Sequence, residues 1–472
     1  MEHKHICVLP PEAVAEQMAA ADRVRALWQE SGQPSPCVLV MTFGCQQNEA
    51  DSEKLLGMAL RMGYIKTDKP EEADLILVNT CAVREHAEQR ALSIIGQYKH
   101  LKAARPSLII GVFGCMVSQP HRAEQLKKSY PYVDFALGTA SLHRMPSMVL
   151  SRLRQGKRQF CPTEEVYPIA EGLPIERSSG YRAWVSVMYG CNNFCSYCIV
   201  PHVRGRERSR RREDVAAEVS ELVRRGYRDI TLLGQNVNSY GKDLGLGYDF
   251  ADLLAELDGI EGDYTLHFMT SHPKDADRKL IDVMAASSHV AHHFHLPLQA
   301  GSDEVLRRMN RHYTVEKYMD ILSYIRQKMP DCVISSDIMV GFPTETEADF
   351  AQTLDTLRRA RFDMTYSFIY SPRRGTPAAD MPQLDEATKG ERMRRLLDVQ
   401  NAISLQINQR HVGEILRVLC DGASKNDPHT TGGRTDGNKL VFFDTNEDLT
   451  GRFLSVRIDR ADTFALYGTV VK

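Results

Sequence analysis

The 472-residue sequence has two tryptophans, no surplus of either charge and no long apolar run. Lysine and arginine number 59 against 61 aspartates and glutamates, a formal net charge of −2. Overall charge therefore singles out no nucleic-acid or membrane-surface partner; a local basic patch would have to do that work. No apolar stretch approaches the ~18 residues of a membrane-spanning helix, so no membrane association is expected. Within the first forty residues Glu2, Glu12, Glu16, Asp22 and Glu30 interrupt the apolar positions, which argues against a signal peptide. The eleven cysteines, an odd number in a long chain, do not read as a disulfide framework. A cytoplasmic, reducing compartment with thiolate-bound metal fits them better. The length implies ~3 domains, and 43% hydrophobic with 25% charged residues is an ordinary globular balance.

What the chain does have is a dense run of thiols. Cys191, Cys195 and Cys198 follow the apolar stretch Ala183 to Met188, with Gly190 before the first and Tyr197 before the last. Structural zinc sites total four Cys or His ligands, usually in C-x2-C pairs. A C-x3-C-x2-C run with no fourth partner nearby leaves one coordination position open, as a catalytic metal needs. A zinc knuckle or a chance cluster of buried thiols is the plainer alternative.

Three more cysteines recur with the architecture. The apolar runs Cys37 to Thr42, Leu75 to Asn79 and Leu108 to Val112 have strand length. They lead into Phe43-Gly44-Cys45, Cys81 and Phe113-Gly114-Cys115, with helical stretches between. Strands alternating with helices imply an open parallel sheet, whose carboxyl edge is where ligands bind. Cys45, Cys81 and Cys115 each lie just past such a strand end and can converge; the alternative is three isolated buried thiols. Cys37 begins its strand and belongs at the opposite edge.

The rest of the chain divides by texture. Residues 1–35 read as an extension holding a loosely packed helix, 36–152 as the sheet domain and 153–180, rich in charge, proline and serine, as a linker. Residues 181–408 carry six βα units. Their strands are Ala183–Met188, Asp229–Leu233, Tyr264–Met269, His292–Pro297, Val333–Val340 and Met364–Tyr370. They predict a partial (β/α)6 barrel with its site at the strands' carboxyl ends. Residues 409–472 show short alternating runs at Ile415–Leu419, Lys439–Phe443, Phe453–Ile458 and Ala465–Val471, a small OB-like β-barrel. The fold class is α/β with this terminal barrel. Arg204, Arg206, Arg208, Arg210, Arg211 and Arg212, interrupted by one acid, form the most basic local run. It fits contact with an RNA backbone, or else a solvated face. His292, His293 and His295 share one strand but alternate faces, so they cannot all reach one ion.

The three-cysteine run with Tyr197 resembles the cluster motif of the radical S-adenosylmethionine (SAM) enzymes. The terminal segment, with Gly432-Gly433-Arg434-Thr435-Asp436-Gly437-Asn438, resembles a TRAM domain and its recurrent Gly-Arg-Thr loop. In this order, over residues 36 to 472, the parts resemble the radical SAM methylthiotransferases. The runs Cys198 to Arg210 and Leu233 to Tyr240 place the chain nearest the branch acting on N6-isopentenyladenosine beside the tRNA anticodon. The resemblance implies two 4Fe–4S clusters, one on Cys191, Cys195 and Cys198 that cleaves SAM, and an auxiliary one on Cys45, Cys81 and Cys115. It implies SAM contacts from Tyr197, Gln235, Asn236, Ser271, Gln299, Asp337 and Val340. RNA contacts fall on Arg204, Arg206, Arg208 and Arg434, and the resemblance names no catalytic group other than the clusters, leaving any catalytic side chain unassigned. The family's usual Gly-Gly-Glu is replaced here by Gly234-Gln235-Asn236, which leaves the methionine-amine contact to one of the two amides. Implied partners are the tRNA anticodon stem-loop, a flavodoxin- or ferredoxin-type electron donor and a sulfur donor, with a monomeric enzyme. Threonylcarbamoyl-adenosine in tRNA, a ribosomal-protein aspartate, or an RNA-binding iron–sulfur redox role are the competing readings.

Overall fold

The computed structural model describes residues 8–163, 167–424, 430–445 and 447–471. Residues 1–7 of the extension, 164–166 of the linker and 425–429, 446 and 472 of the terminal segment lie outside the described residues. The chain folds into two compact units. The first runs to Ser178 and adds Met188–Asn192 and Cys198–Arg210; the second holds Ser179–Val187, Asn193–Tyr197 and everything from Arg211. The division passes through the three-cysteine run: Cys191 and Cys198 fall in the first unit, Cys195 in the second.

The first unit is a six-stranded parallel sheet. Its strands are β1 (Cys37–Thr42), β2 (Ile65–Lys66), β3 (Leu75–Thr80), β4 (Ile109–Gly114), β5 (Phe135–Leu137) and β6 (Gln159–Cys161), in the order β2-β1-β3-β4-β5-β6. The helices are α1 (Pro11–Ser31), α2 (Gln46–Arg61), α3 (Glu85–Ala104), α4 (Pro120–Ser129) and α5 (Met145–Gln155). Every residue of β3 and β4 is buried, because a parallel sheet is covered on both faces. Alternation sends Leu75 and Leu77 into one core with Leu55 and Met58 of α2. Ile76 and Val78 go into the other, with Ile95 of α3.

Two expectations are corrected here. The N-terminal helix is not loosely packed: Met18, Ala21 and Val24 of α1 sit in the same core as α2 and α5. The stretch read as a linker supplies an edge strand, since β6 pairs in parallel with β5 from Phe135↔Gln159 to Leu137↔Cys161.

The second unit opens with β7 (Arg182–Ser186). Met188–Tyr189 (β8) and Arg208–Ser209 (β9) then form a short antiparallel pair within the first unit, on either side of α6 (Val200–Arg204). The barrel strands continue as β10 (Asp229–Leu233), β11 (Thr265–Phe268), β12 (His293–His295), β13 (Val333–Val340) and β14 (Met364–Ile369). They form two parallel three-stranded sheets, β7-β10-β11 and β12-β13-β14, linked by a parallel bridge between Leu266 and Val290. Helix α7 (Arg212–Arg224), α8 (Phe250–Asp258), α9 (Arg278–Ala286), α10 (Asp303–Arg308), α11 (Val315–Lys328) and α12 (Glu347–Ala360) fall between the strands, and α13 (Glu386–Gln409) follows them. Among the described residues β7 and β14 are not paired, so six βα units make a partial barrel.

The terminal segment is a closed barrel of β15 (Ile415–Ala423), β16 (Thr431–Thr435), β17 (Leu440–Phe443), β18 (Phe453–Ala461) and β19 (Leu466–Val471), in the order β15-β16-β17-β19-β18. The Gly-Gly-Arg-Thr run is strand β16 and not a loop. Gly433 lets β15 approach: a Cβ there would lie 2.7 Å from the Leu419 carbonyl oxygen.

Candidate cluster and cofactor sites

The strand order 2-1-3-4-5 places a topological switch point between β1 and β3, where an open parallel sheet binds its ligands. Cys45 follows β1, Cys81 follows β3 and Cys115 follows β4, so two of the three thiols flank that crevice and the third adjoins it. The Phe-Gly-Cys repeat has a steric cause. Gly44 (φ 125°) and Gly114 (φ 96°) take backbone conformations that favour glycine. A Cβ on Gly44 would meet Cys81 Cβ at 2.7 Å, and one on Gly114 would strike the Thr80 carbonyl. Glycine thus lets the strand ends close up behind the thiols. Cys45 is the N-cap of α2 and is exposed, whereas Cys81 and Cys115 are buried. Burial pushes the Cys81 thiol up and the Cys115 thiol up to about 12. Cys37, at the start of β1, lies at the opposite edge, as its position implied.

A buried polar lattice supports this edge. Asn48 Nδ2 donates to the carbonyls of Phe43 at 2.8 Å and Thr80 at 3.0 Å, tying the ends of β1 and β3 together. Asn79 Nδ2 donates to the Asn48 carbonyl at 2.8 Å and to Ser52 Oγ at 3.0 Å. Into this lattice comes Arg204, the last residue of α6. Its Nη2 donates to Asn48 Oδ1 at 2.8 Å and to Asp51 Oδ2 at 2.9 Å. Arg204 is only 5% exposed, and Cys115, Asp51 and Cys45 all favour its charged form against the penalty of burial.

Arg204 was expected at an RNA backbone, and its burial in an ion pair corrects that. Arg210 is likewise buried and paired with Glu171 Oε1 at 2.6 Å. Arg208 donates to the backbone carbonyls of Arg204 and Arg206 and lies over the Tyr167 ring. Arg212 pairs with Glu256. Within the run, Arg206 and Arg211 are the exposed side chains. Arg434 of β16 is half-buried, donates to the Asn438 carbonyl at 3.2 Å and lies 3.6 Å from Asp421.

The first-unit part of the three-cysteine run is set by Gly190 (φ 78°), where a Cβ would strike the Arg206 carbonyl. The Cys191 N–H donates to the Gly205 carbonyl at 3.1 Å. In the second unit the tip Asn193–Tyr197 is gripped by a segment that sequence reasoning missed, residues 308–313. Ser196 Oγ donates to the Arg308 carbonyl at 2.8 Å, its N–H to the Met309 carbonyl at 3.0 Å, and Asn310 Nδ2 to the Phe194 carbonyl at 3.0 Å. Arg311, 5% exposed, directs Nη1 to Cys195 Sγ at 3.5 Å and Nη2 to the Pro297 carbonyl at 2.9 Å. No spacing or periodicity marked this arginine.

The carboxyl ends of β10 and β11 hold buried polar atoms that have no partner within the protein: Asn236 Oδ1, Asn238 Nδ2, Ser271 Oγ and His272 Nε2. An unpaired buried polar atom costs ~1–3 kcal/mol, a cost that a polar ligand at these strand ends would relieve. Asn236 is held by Nδ2 donating to Asp275 Oδ2 at 2.8 Å, and Lys242 braces Asp275 at 2.7 Å. Gln299 (φ 70°) extends the barrel edge through backbone bonds with Asp337 and Met339, and Val340 ends β13 buried. Asp337 lies 3.6 Å from His295 Nε2, back from the strand ends. Gln235 and Tyr197 are half-buried. His293 Nε2 and His295 Nδ1 share Ser335 Oγ at 3.0 Å each, while His292 faces away to Asp331. Among the described residues no three Cys, His, Asp or Glu side chains gather for a single metal ion. A lone tetrahedral ion needs its sulfurs within ~4 Å of one another; a four-iron cluster takes its thiolates on separate irons.

Comparison with known proteins gives three family matches: the Radical SAM superfamily over residues 185–357, the Uncharacterized protein family UPF0004 over 37–138 and the TRAM domain over 409–471. Among solved structures, a radical SAM methyltransferase from Kitasatospora setae with tryptophan and a SAM analogue bound shares the fold. It has a TM-score of 0.54 at 14% identity, over 78% of this chain and 89% of that one. Among curated relatives, proteins named tRNA-2-methylthio-N(6)-dimethylallyladenosine synthase are 47% identical in Desulforamulus reducens (93% of this chain, 96% of the relative) and 49% in Thermoanaerobacter sp. (92% of each). The one from Acetivibrio thermocellus is 46% identical over 100% of this chain and 99% of its own. With that identity along almost its whole length, the chain belongs to the family of the tRNA-2-methylthio-N(6)-dimethylallyladenosine synthases.

Proposed function

We propose that the protein is a radical SAM tRNA methylthiotransferase that inserts sulfur at C2 of N6-isopentenyladenosine beside the anticodon and methylates it. The observation that carries the reading is the placement of Cys45, Cys81 and Cys115 around the switch point, in a chain that also holds the C-x3-C-x2-C run. The cofactors are two 4Fe–4S clusters and SAM. When bound, they supply a carbon radical for an unactivated C–H carbon, beyond acid–base chemistry, and a sulfur to place there.

The protein's own residues do the holding. Cys191, Cys195 and Cys198 bind one cluster and Cys45, Cys81 and Cys115 the other, each set leaving one position open. Arg204 and Arg311 bring fixed positive charge to the two sets of thiolates; a guanidinium keeps its proton even when buried. Asn236 Oδ1, oriented by Asp275, accepts a hydrogen bond from the SAM amine in place of the missing acid, and Ser271 Oγ serves the same ligand. Tyr197 lies against the adenine, with Gln235, Gln299 and Val340 at the same strand ends and Asp337, held beside His295, set back behind them. Arg206, Arg208 and Arg434 meet the phosphates of the tRNA anticodon stem-loop. The enzyme is a cytoplasmic monomer that takes its electron from a flavodoxin or ferredoxin and its sulfur from a separate donor.

The test is chemical. Reconstituted protein holds about eight irons per chain if two four-iron clusters form, and dithionite with SAM releases 5′-deoxyadenosine. Cys81→Ala retains that cleavage and loses methylthiolation of tRNA. A fully loaded protein that yields no 5′-deoxyadenosine, or a Cys81→Ala variant that still methylthiolates, refutes the reading. Mass spectrometry of tRNA nucleosides from cells lacking the gene names the adenosine and separates it from the threonylcarbamoyl substrate.

A further inference from the structure

Within the second unit, a cavity of about 440 Å³ lies where β14 and α13 meet the terminal barrel. Its size falls within the ~300–1,000 Å³ of small-ligand sites, and its lining includes neither a cysteine nor a residue of the polar patch at β10 and β11. Three features of its lining belong together. Phe464 is 74% exposed, the most exposed of the large apolar side chains described. The turn that presents it is locked from both sides. Asp462 Oδ1 accepts the N–H groups of Phe464 and Ala465 at 2.8 Å each, and Asp462 Oδ2 accepts the Tyr467 hydroxyl at 2.7 Å. Asn408 Nδ2 of α13 donates to the carbonyls of Asp462 at 2.9 Å and Thr463 at 3.2 Å. An aromatic ring held out to solvent on a fixed turn has its ordering entropy already spent, which is the requirement of a stacking platform.

The second feature is an acceptor. Gln400 is 3% exposed and lines the cavity; its Nε2 donates to the Phe362 carbonyl at 2.9 Å and to Ser404 Oγ at 3.0 Å. A carbonyl can only accept, so this contact fixes the amide's orientation and leaves Gln400 Oε1 buried with no partner in the protein. The third is charge and rim. Arg434 lines the cavity from the barrel side together with Lys439, whose charge is paired with Asp363 at 2.7 Å, and Met364 and Leu397, 38% and 39% exposed, supply apolar edges.

We infer that this cavity is a binding site for one unpaired nucleobase of the RNA substrate, separate from the position of the modified adenosine. The base stacks on Phe464, gives an exocyclic amino or ring N–H to Gln400 Oε1, and keeps its phosphate near Arg434. A flat, π-faced ligand with an N–H edge and a phosphate is the chemistry that uses all three features; a hydrocarbon would leave the acceptor unpaired and a bare anion would leave the ring bare. The inference rests on the tRNA reading above.

The test uses the full-length protein and an anticodon-type RNA hairpin, with a matched set in which each loop base in turn is replaced by an abasic site. Phe464→Ala, at an exposed position, should weaken binding of the intact hairpin about ten- to a hundred-fold, the range of one stacked base, and Phe464→Tyr should restore it. One abasic hairpin should bind both proteins equally weakly, and Gln400→Met should reduce affinity for the intact hairpin but not for that one. Wild-type binding unchanged by Phe464→Ala overturns the site while leaving the tRNA reading standing, and so does a loss that is the same for every abasic hairpin. A wild-type protein that cleaves SAM but binds no RNA hairpin overturns the tRNA reading and the site with it.

Discussion

Replacing Arg204 by Met should destabilise the first unit by about 3–5 kcal/mol, because it strands a charge in the interior. The side chains of Arg204 and Asp51 are 6% and 10% exposed, and their contact is 2.9 Å. After the substitution Asp51 keeps one neutral donor, Gln47 Nε2 at 3.2 Å, and the more distant charge of Lys54, and loses the cation in contact with it. With a urea slope of about 2–3 kcal/mol/M, the midpoint should fall by roughly 1–2.5 M. The assay is urea unfolding of the metal-free protein followed by Trp28 fluorescence after Trp184→Phe. Trp28 lies in α1, edge-on to Tyr64 at 5.9 Å, and so reports on the first unit. Adding Asp51→Asn should return most of the loss, since the cost is the unpaired charge and not the absent contact. A single variant within about 0.5 kcal/mol of the parent, the size of an ordinary surface change, refutes the reasoning; so does a double variant no more stable than the single one.

The capping box at Thr346 predicts an acid-labile term. Burial alone would raise the Asp349 carboxyl, but the Ser302 and Thr346 hydroxyls and the Thr346 N–H outweigh it and hold it below the usual range. The stability it adds is therefore complete above about pH 4, the ordinary aspartate value, and is lost as pH falls through its lowered value. The difference between parent and Asp349→Asn in urea should shrink over that window; a pH-independent difference excludes the linkage. Gly433→Ala should cost about 1–3 kcal/mol by overpacking, seen as a lower-melting terminal barrel in calorimetry, because its Cβ meets Val418 Cγ1 at 2.6 Å. Val203→Ala thins the small cluster of Val203, Ile199, Ala82 and Cys115. At ~0.8 kcal/mol per buried methylene it should speed Cys115 labelling by a thiol reagent roughly tenfold in metal-free protein, and an unchanged rate would separate α6 from the thiol.

Strands with strong local signals were legible residue by residue. Cys37–Thr42, Asp229–Leu233 and Val333–Val340 are runs of strand length rich in apolar and β-branched residues, and the structure has them with those bounds. The two short strands β5 and β6 have three residues each, too few to show a period, and β6 is half-buried along its length. Gly432-Gly433-Arg434-Thr435 misled for the opposite reason. Glycines usually mark turns, yet here Gly433 permits a close strand contact inside a barrel. The helix α1 was underrated because its alanines carry little apolar signal although they pack to zero exposure at Ala21.

The arginines expose a deeper limit. A run of six looked like one basic stripe because composition counts charge and carries no burial. The structure spends its members separately: Arg204 on Asp51, 153 residues away in sequence, and Arg210 on Glu171. Arg311 meets Cys195 across 116 residues with no neighbouring motif to announce it. The proposed cluster reading gives such residues a purpose. Desolvated thiolates repel one another and require a cation that stays charged in the interior; burial drives lysine toward neutrality, whereas arginine keeps its charge. On the proposed two-cluster reading, Arg204 and Arg311 are the two buried arginines that answer to that requirement. What the sequence cannot supply is which two, because the choice is made by the fold: one comes from the helix six residues beyond Cys198, the other from the loop after α10.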